Sequence, residues 1–321
     1  MIKYDVSALG ELLIDFTYSG ISEQGNSLLE VNPGGAPCNV LALLNKCGRT
    51  TNFIGKVGKD QFGYLLQDTL KELKIGIDGL CFDEEVKTTL AFVKTFENGD
   101  RDFAFYRNPG ADMMLTEGDV KEEQIKNSSI FHFGTLSMTH EEVCKATEKA
   151  VKIAKENGVL ISFDPNLRIP LWKDLDRAKE KMEYGLSQCD ICKISEEEVE
   201  FLTGEKDIKK GAETLRKKFP VKLFQVTAGA EGSYAFYKDL IVYQPSFKLG
   251  GTIETTGAGD TFCGSILHGV LDRDIEHLTK EDLEQMLTFA NAAAYLVTTK
   301  KGAIRSMPEV EEIKKIIEEN K

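Results

Sequence analysis

An α/β fold, with a mainly parallel sheet covered by helices on both faces, is predicted by two features of this 321-residue sequence. Short apolar strand-like segments alternate with longer segments of helical period almost throughout. Glycine-rich and polar clusters follow several of the apolar segments, at the carboxyl ends where such sheets bind ligands.

Tyr4–Leu9 reads as the first strand, and Ala36–Cys47, an apolar stripe entered through Pro37, as the first helix. Strand Asn52–Val57 and helix Phe62–Leu73 follow, then strand Ile130–Gly134, helix Glu141–Asn157 and strand Val159–Phe163. Helix Asp174–Leu186, strand Ile191–Ile194, helices Ser195–Leu202 and Ile208–Phe219, and strand Leu223–Thr227 continue the alternation. A last apolar helix runs through Phe262, Ile266, Leu267, Val270 and Leu271. Two stretches break the rhythm: Leu12–Ser19 and Thr88–Tyr106 are extended with no helix between their halves, Asp100 to Asp102 being a polar connection. They predict a small antiparallel lid over the main sheet, within one domain spanning residues 1–321.

Composition is that of an ordinary globular protein, 41% hydrophobic and 29% charged. The net charge of −12 argues against nucleic acid and anionic membrane surfaces as partners, so an anionic cosubstrate must be held by local donors. Seven cysteines in core-like contexts suggest reduced thiols and a soluble, cytoplasmic protein. Cys189-Asp190-Ile191-Cys192 spells C-x-x-C, but no second pair or spaced histidine accompanies it. No signal-peptide core opens the chain, and no apolar run approaches the ~20 residues that span a bilayer.

The most informative stretch is Thr255-Thr256-Gly257-Ala258-Gly259-Asp260-Thr261-Phe262. Small residues let a backbone approach a ligand, and the free N–H groups of a helix start attract anions. Asp260 in that turn would stand beside the bound anion, the layout for removing a proton from a hydroxyl next to a phosphoryl group. Taken alone, the stretch is equally a tight loop in which Asp260 caps the helix.

Gly34 and Gly35 precede the first helix, Pro37 suits its first turn, and Asn39 offers both a donor and an acceptor to a sugar hydroxyl. Asp15 follows an apolar stretch and could accept from vicinal hydroxyls or discourage edge-strand aggregation. Arg107 and Arg168 end polar clusters that suit an anionic oxygen or a surface carboxylate. Ser195 to Glu198 matches a capping box at a strand's carboxyl end. Thr227-Ala228-Gly229-Ala230-Glu231-Gly232 closes a strand with a turn suited to a nucleotide phosphate or ribose. Neither the Walker sequence nor the dinucleotide glycine fingerprint occurs, and the four histidines lack metal-ligand spacing.

With these motifs in their order, the chain resembles the PfkB, or ribokinase-like, carbohydrate kinases over essentially its whole length. Gly34 to Asn39 and Thr255 to Phe262 carry the resemblance most specifically. Gly10 to Phe16, Tyr106 to Met113 and Asp164 to Arg168 are most similar to the fructokinase branch. The resemblance implies a three-layer ribokinase-like sandwich with a β-lid, and ATP-dependent conversion of fructose to fructose 6-phosphate. It implies Asp260 as general base, with the amides of Gly257, Ala258 and Gly259 as the anion hole. Asp15, Gly34, Gly35, Asn39, Phe103, Arg107 and Arg168 would hold the sugar. Lys193, Thr227, Gly229, Gly232 and Asn291 fall at nucleotide positions, and Glu198 at the position that meets Mg2+ through water. A K+ loop falls on Glu254, Thr256, Gly302 and Ser306, with Glu254 in place of the usual Asp; Ser195 stands where many relatives carry Asn. The implied partners are a sugar and ATP, and the exposed lid suits a homodimer. A 2-keto-3-deoxygluconate kinase is the alternative within the family, although Asp15 favours a neutral polyol. A silent sugar-binding regulatory protein is the alternative outside enzymes, disfavoured by the intact Asp260.

Overall fold

Tyr4–Leu9 is buried along nearly its whole length, and as β1 it becomes an interior strand of a nine-stranded sheet. The computed structural model describes residues 3–95 and 101–320, with side chains except those of 94, 95 and 101–103. After β1 the chain leaves the sheet as the hairpin β2 (Leu13–Ile21) and β3 (Ser27–Gly34), then enters α1 (Ala36–Lys46). β4 (Thr51–Gly58), α2 (Gln61–Glu72) and β5 (Gly76–Asp83) follow, α2 being capped by the Asp60 carboxylate on Phe62 and Gly63 N–H. β6 (Leu90–Thr95) and β7 (Arg101–Tyr106) form the second excursion.

The chain returns through α3 (Glu122–Lys126), β8 (Ser128–Gly134), α4 (Glu141–Glu156), β9 (Leu160–Asp164) and α5 (Leu175–Gln188). β10 (Ile191–Ser195), α6 (Glu196–Thr203), α7 (Ile208–Lys218) and β11 (Leu223–Thr227) complete the alternation. β12 (Ser233–Tyr237), β13 (Leu240–Gln244), α8 (Ala258–Leu271), α9 (Lys280–Thr298) and α10 (Val310–Glu319) end it.

Among the described residues the large sheet runs β13-β12-β11-β10-β9-β8-β1-β4-β5, parallel from β11 to β5 and antiparallel at β12 and β13. The order reverses direction beside β1, so the crevice beyond its carboxyl end is the topological switch where such sheets bind ligands. Two apolar clusters flank the sheet. Leu66 of α2, Leu41 of α1, Phe262 of α8 and Leu287 of α9 pack in one, and Val143 of α4, Met182 of α5, Val199 of α6 and Leu215 of α7 in the other. That is the three-layer α/β arrangement expected from the alternation.

The second sheet has four strands in the order β3-β2-β6-β7. β3–β2 and β6–β7 are antiparallel, and the two hairpins meet through the parallel pair β2–β6. β3 was not read as a strand from the sequence, because Ser27–Val31 is solvent-exposed and lacks a clean in–out alternation. β5, β12, β13, α9 and α10 were likewise not singled out. Of the polar connection expected at Asp100 to Asp102, Asp100 lies outside the described residues, whereas Arg101 and Asp102 begin β7 and pair with Thr95 and Lys94 of β6. Among the described residues no helix is long and apolar enough to cross a membrane.

Candidate active site

The carboxyl ends of β1, β9, β10 and β11, the first turns of α1 and α8, and the inner face of the small sheet enclose one cleft in two joined halves. The first half, about 680 Å³, is lined by Asp15, Gly35, Asn39, Arg168, Lys193 and Asp260, among others. The second, about 590 Å³, is lined by Gly232, Phe247, Phe262, Asn291 and Tyr295. Thr227, Gly229, Thr255 and Gly259 line both, so the halves communicate at the start of α8.

Asp260, in the first turn of α8 and 8% exposed, lines the first half directly after Gly259, which lines both. Its Oδ2 accepts from Asn39 Nδ2 at 2.8 Å, which tethers α8 to α1. Burial pushes the Asp260 carboxyl up, while the Asn39 hydrogen bond and the Lys193 and Arg168 charges pull it back. Asn39 Oδ1 is buried without a protein partner, an acceptor in the cleft wall.

Gly257 is the N-cap of α8 in the left-handed region (φ 76°), and a Cβ there would stand 2.8 Å from that of Ala303. The first-turn N–H groups of a helix have no intrahelical acceptor. Ala258 N–H donates to Thr255 C=O at 3.3 Å. A Cβ on Gly259 would lie 2.9 Å from Lys193 Nζ, so glycine lets the ammonium reach the same turn.

Lys193 Nζ is buried and 3.1 Å from Asp164 Oδ2. Burial draws that ammonium down, but the carboxylates of Asp164, Glu198 and Asp260 outweigh it and hold its pKa above the ordinary lysine range. Burial likewise pushes Asp164 up, against the pull of Lys193. The Lys193 ammonium, held by Asp164, thus stands beside the first turn of α8.

On the lid, Asp15 faces Asn32 on β3 and Ala91 on β6, and Ala91 faces Phe105 on β7. Asp15 and Phe105 line the first half of the cleft. Gly34 stands behind them: a Cβ there would meet Asp15 Oδ2 at 2.5 Å. Phe103 lies two residues before Phe105, and its side chain lies outside the described residues. Phe105 was missed, although its spacing from Phe103 in an alternating strand carried the signal.

Arg107 departs from the expectation. Its Nε donates to Asp112 Oδ2 at 2.8 Å, Nη1 to Thr139 Oγ1 at 2.9 Å and Nη2 to Leu136 C=O at 3.0 Å. The ion pair with Asp112 is buried on both sides, and Arg107 is not among the residues lining the cleft. The local Arg-x4-Asp spacing permits this internal pair, which the polar cluster alone did not reveal. Arg168, in contrast, is exposed and lines the cleft.

On the other half, Asn291 Nδ2 donates to Gln244 and Pro245 C=O and its Oδ1 accepts from Ser233 Oγ, so it fixes the segment after β13. Glu198 completes the capping box with Ser195, as the sequence pattern requires. Glu198 Oε2 accepts from Ser195 N–H at 2.8 Å and Oε1 from Leu167 N–H at 2.7 Å, joining α6 to the Arg168 loop. Each oxygen keeps a further lone pair and the residue lines the cleft, which fits a metal-bound water. Among the described residues no three His, Cys, Asp or Glu side chains are grouped to hold a metal by themselves, so phosphate oxygens would have to supply part of the shell.

Glu254 Oε1 accepts from Gly302 N–H at 3.0 Å, and Ser306 Oγ donates to Lys301 C=O. The 254–256 and 301–306 loops therefore lie together. Their carboxylate, hydroxyl and carbonyl oxygens are the hard donors an alkali cation requires.

Glu11 was not singled out as a site residue. It is 5% exposed, lines the first half of the cleft, and accepts from Ala36 N–H through Oε1 at 2.8 Å. Its position just past the carboxyl end of β1 was the available signal.

Residues 4–310 match the model of the pfkB family of carbohydrate kinases. Fructokinase-2 of Oryza sativa subsp. japonica is 41% identical over 308 residues, covering 95% of this chain and 91% of that protein. The ATP-bound fructokinase of Xylella fastidiosa superposes with a TM-score of 0.89 at 27% identity, covering 99% of each chain. The fructokinase of Vibrio cholerae O395, solved with fructose, ADP and calcium, superposes with a TM-score of 0.88 at 29% identity over 97% of this chain and 98% of that one.

Proposed function

The chain belongs to the pfkB family of carbohydrate kinases, and we propose that it is a fructokinase that moves the terminal phosphoryl group of ATP to the primary hydroxyl of D-fructose. The observation that carries this reading is the place of Asp260, buried in the first turn of α8 within the first half of the cleft and next to Gly259, which lines both halves.

The sugar occupies the half lined by Asp15, Gly35, Asn39, Phe105 and Arg168, and ATP the half lined by Thr227, Gly232 and Asn291. Asp260 takes the proton of the sugar hydroxyl as that oxygen attacks the terminal phosphorus. The new P–O bond forms as the bond to ADP breaks, and ADP leaves with the electron pair. Lys193 and the amides of the Gly257–Gly259 turn meet the negative charge on the transferring group. A divalent ion on the ATP phosphates neutralises their charge when bound; Mg2+ with Glu198 behind a water is the arrangement we favour. K+ at the Glu254–Ser306 loops and a cytoplasmic location with reduced cysteines belong to the same proposal.

The sugar half favours a neutral substrate. Asp15, Glu11 and Asp260 line it, and Arg107 is neutralised by Asp112 instead of facing the cleft. A 2-keto-3-deoxygluconate kinase needs cations for its substrate carboxylate, and only Arg168 of the two arginines is placed to serve. Following ADP release with ATP and a panel of hexoses and sugar acids tests the assignment. Fructose should give the highest kcat/KM; preference for a sugar acid, or sugar binding without turnover, contradicts it.

A further inference from the structure

We propose that Glu11 is a positioning residue for the phosphoryl transfer: its carboxylate seats the N-terminus of α1, and α1 in turn holds the Asp260 carboxylate through Asn39. This rests on the reading of Asp260 as the base.

The first N–H groups of α1 need acceptors from outside the helix. Its N-cap is Gly35, which has no side chain, and its first turn contains no acidic residue. Glu11 Oε1 fills that role from the end of β1, accepting from Ala36 N–H at 2.8 Å. The approach is tight, since a Cβ on Gly35 would overlap the Glu11 carbonyl oxygen. One turn further, Asn39 N–H bonds Gly35 C=O at 3.0 Å, and Asn39 Nδ2 reaches Asp260 Oδ2 at 2.8 Å. Two hydrogen bonds and one turn of helix thus separate Glu11 from the base.

A carboxylate is an expensive choice for a site so buried, where an apolar side chain would pack without desolvation. Its negative charge lies at the positive end of an 11-residue helix, and a charged acceptor bonds an amide more strongly than a neutral one. Around Glu11 stand Arg107 and Asp112 beyond β7 and Cys38 on α1. His132, Asp164 and Asp260 share with it a second cavity of about 10 Å³, roughly the space of one water. Burial pushes the Glu11 carboxyl up to about 7, with Asp112 adding to the rise and Arg107 opposing it. The strong form of the clamp is therefore complete only above neutral pH.

The test compares Glu11→Gln, Glu11→Leu and the parent chain, measuring kcat, both KM values and thermal midpoints from about pH 5.5 to about pH 8.5. Glu11→Leu removes the acceptor and should lower kcat by about 10- to 100-fold at the alkaline end, the scale of a small misplacement of a reacting group. Its KM for ATP should stay within about twofold of the parent. Glu11→Gln keeps an acceptor oxygen and should recover most of that rate. Its kcat should rise less between about pH 6 and about pH 8 than the parent's, since only the Asp164 and Asp260 carboxyls then titrate, and it should melt higher than the parent at the alkaline end. A purely structural role would instead lower the melting point and leave kcat per folded molecule unchanged. Full kcat in Glu11→Leu, or a kcat–pH profile of Glu11→Gln that superimposes on the parent's, overturns the proposal. Asp260→Asn is measured alongside. Turnover close to the parent in that variant removes the base assignment itself, whereas an inactive Asp260→Asn beside normal Glu11 variants removes only the positioning role.

Discussion

Arg107 shows how far a single side chain's chemistry can mislead until its partners are known. An arginine after an extended segment suggested a sugar contact, yet its guanidinium ties together the lid and the main sheet. Thr89 and Arg107, at the roots of β6 and β7, both bond Asp112, and Arg107 continues to Leu136 C=O and Thr139. Arg107→Ala would leave the Asp112 carboxylate buried and unpaired, so we expect a loss of about 3–5 kcal/mol in chemical denaturation. The double variant Arg107→Ala/Asp112→Ala should recover part of it; equal losses in the single and double variants would argue against the pair. Glu11 makes an opposite, pH-dependent contribution. Its proton is held more tightly in the folded chain (about 7) than at the ordinary 4.5, so its contribution is most favourable below about 4.5 and is lost as pH rises through 7. Glu11→Gln should therefore stabilise the fold at alkaline pH by on the order of 3 kcal/mol and leave it nearly unchanged near pH 4.5. Denaturation midpoints at the two pH values check this. Asp260 is raised in the same direction, so kcat should fall on the acid side at a pH above the ordinary carboxylate range.

At the scale of elements, the strands and helices that build the site were legible, because its residues follow buried strands. Asp164 ends β9 and Thr227 ends β11, each where the apolar run stops, and Lys193 lies within β10 one residue before its last apolar position, Ile194. The motif at Thr255–Phe262 correctly placed a helix start, and the Ser195–Glu198 pattern its capping box. Hydrogen bonds between distant elements were not legible. Asn39 to Asp260 spans 221 positions and Ser233 to Asn291 spans 58, and local spacing carries no trace of either. The same separation hid β3, whose register is set by β2 and not by its own pattern. Asn291 is expected to act through the segment after β13. Asn291→Leu should raise KM for ATP several-fold while KM for fructose stays within about twofold, an outcome steady-state kinetics can read. A rise confined to fructose would place that segment wrongly.

Over the whole molecule, the small sheet has two unlike faces. One carries Asp15 and Phe105 into the cleft. On β2 and β3 the other pairs Phe16 with Val31 and Tyr18 with Leu29, and Phe16 stacks on Phe92, which meets Tyr106 edge-on. Tyr18 and Tyr106 remain 58% and 66% exposed, an apolar surface that suits pairing with a second copy. Sedimentation should show a dimer, and Tyr18→Glu with Val31→Glu should give monomers with a higher KM for fructose; a monomeric parent chain would contradict the pairing. The two halves of the cleft meet at Gly259, and Asp260, the proposed base, follows it in the first turn of α8. The most direct test of that role is single-turnover phosphoryl transfer in Asp260→Asn, with fructose affinity measured separately by calorimetry. Fructose binding should be retained while transfer slows by about 10²–10⁴-fold. Transfer at the parent rate, with fructose still bound, would contradict the assignment of Asp260 as the base.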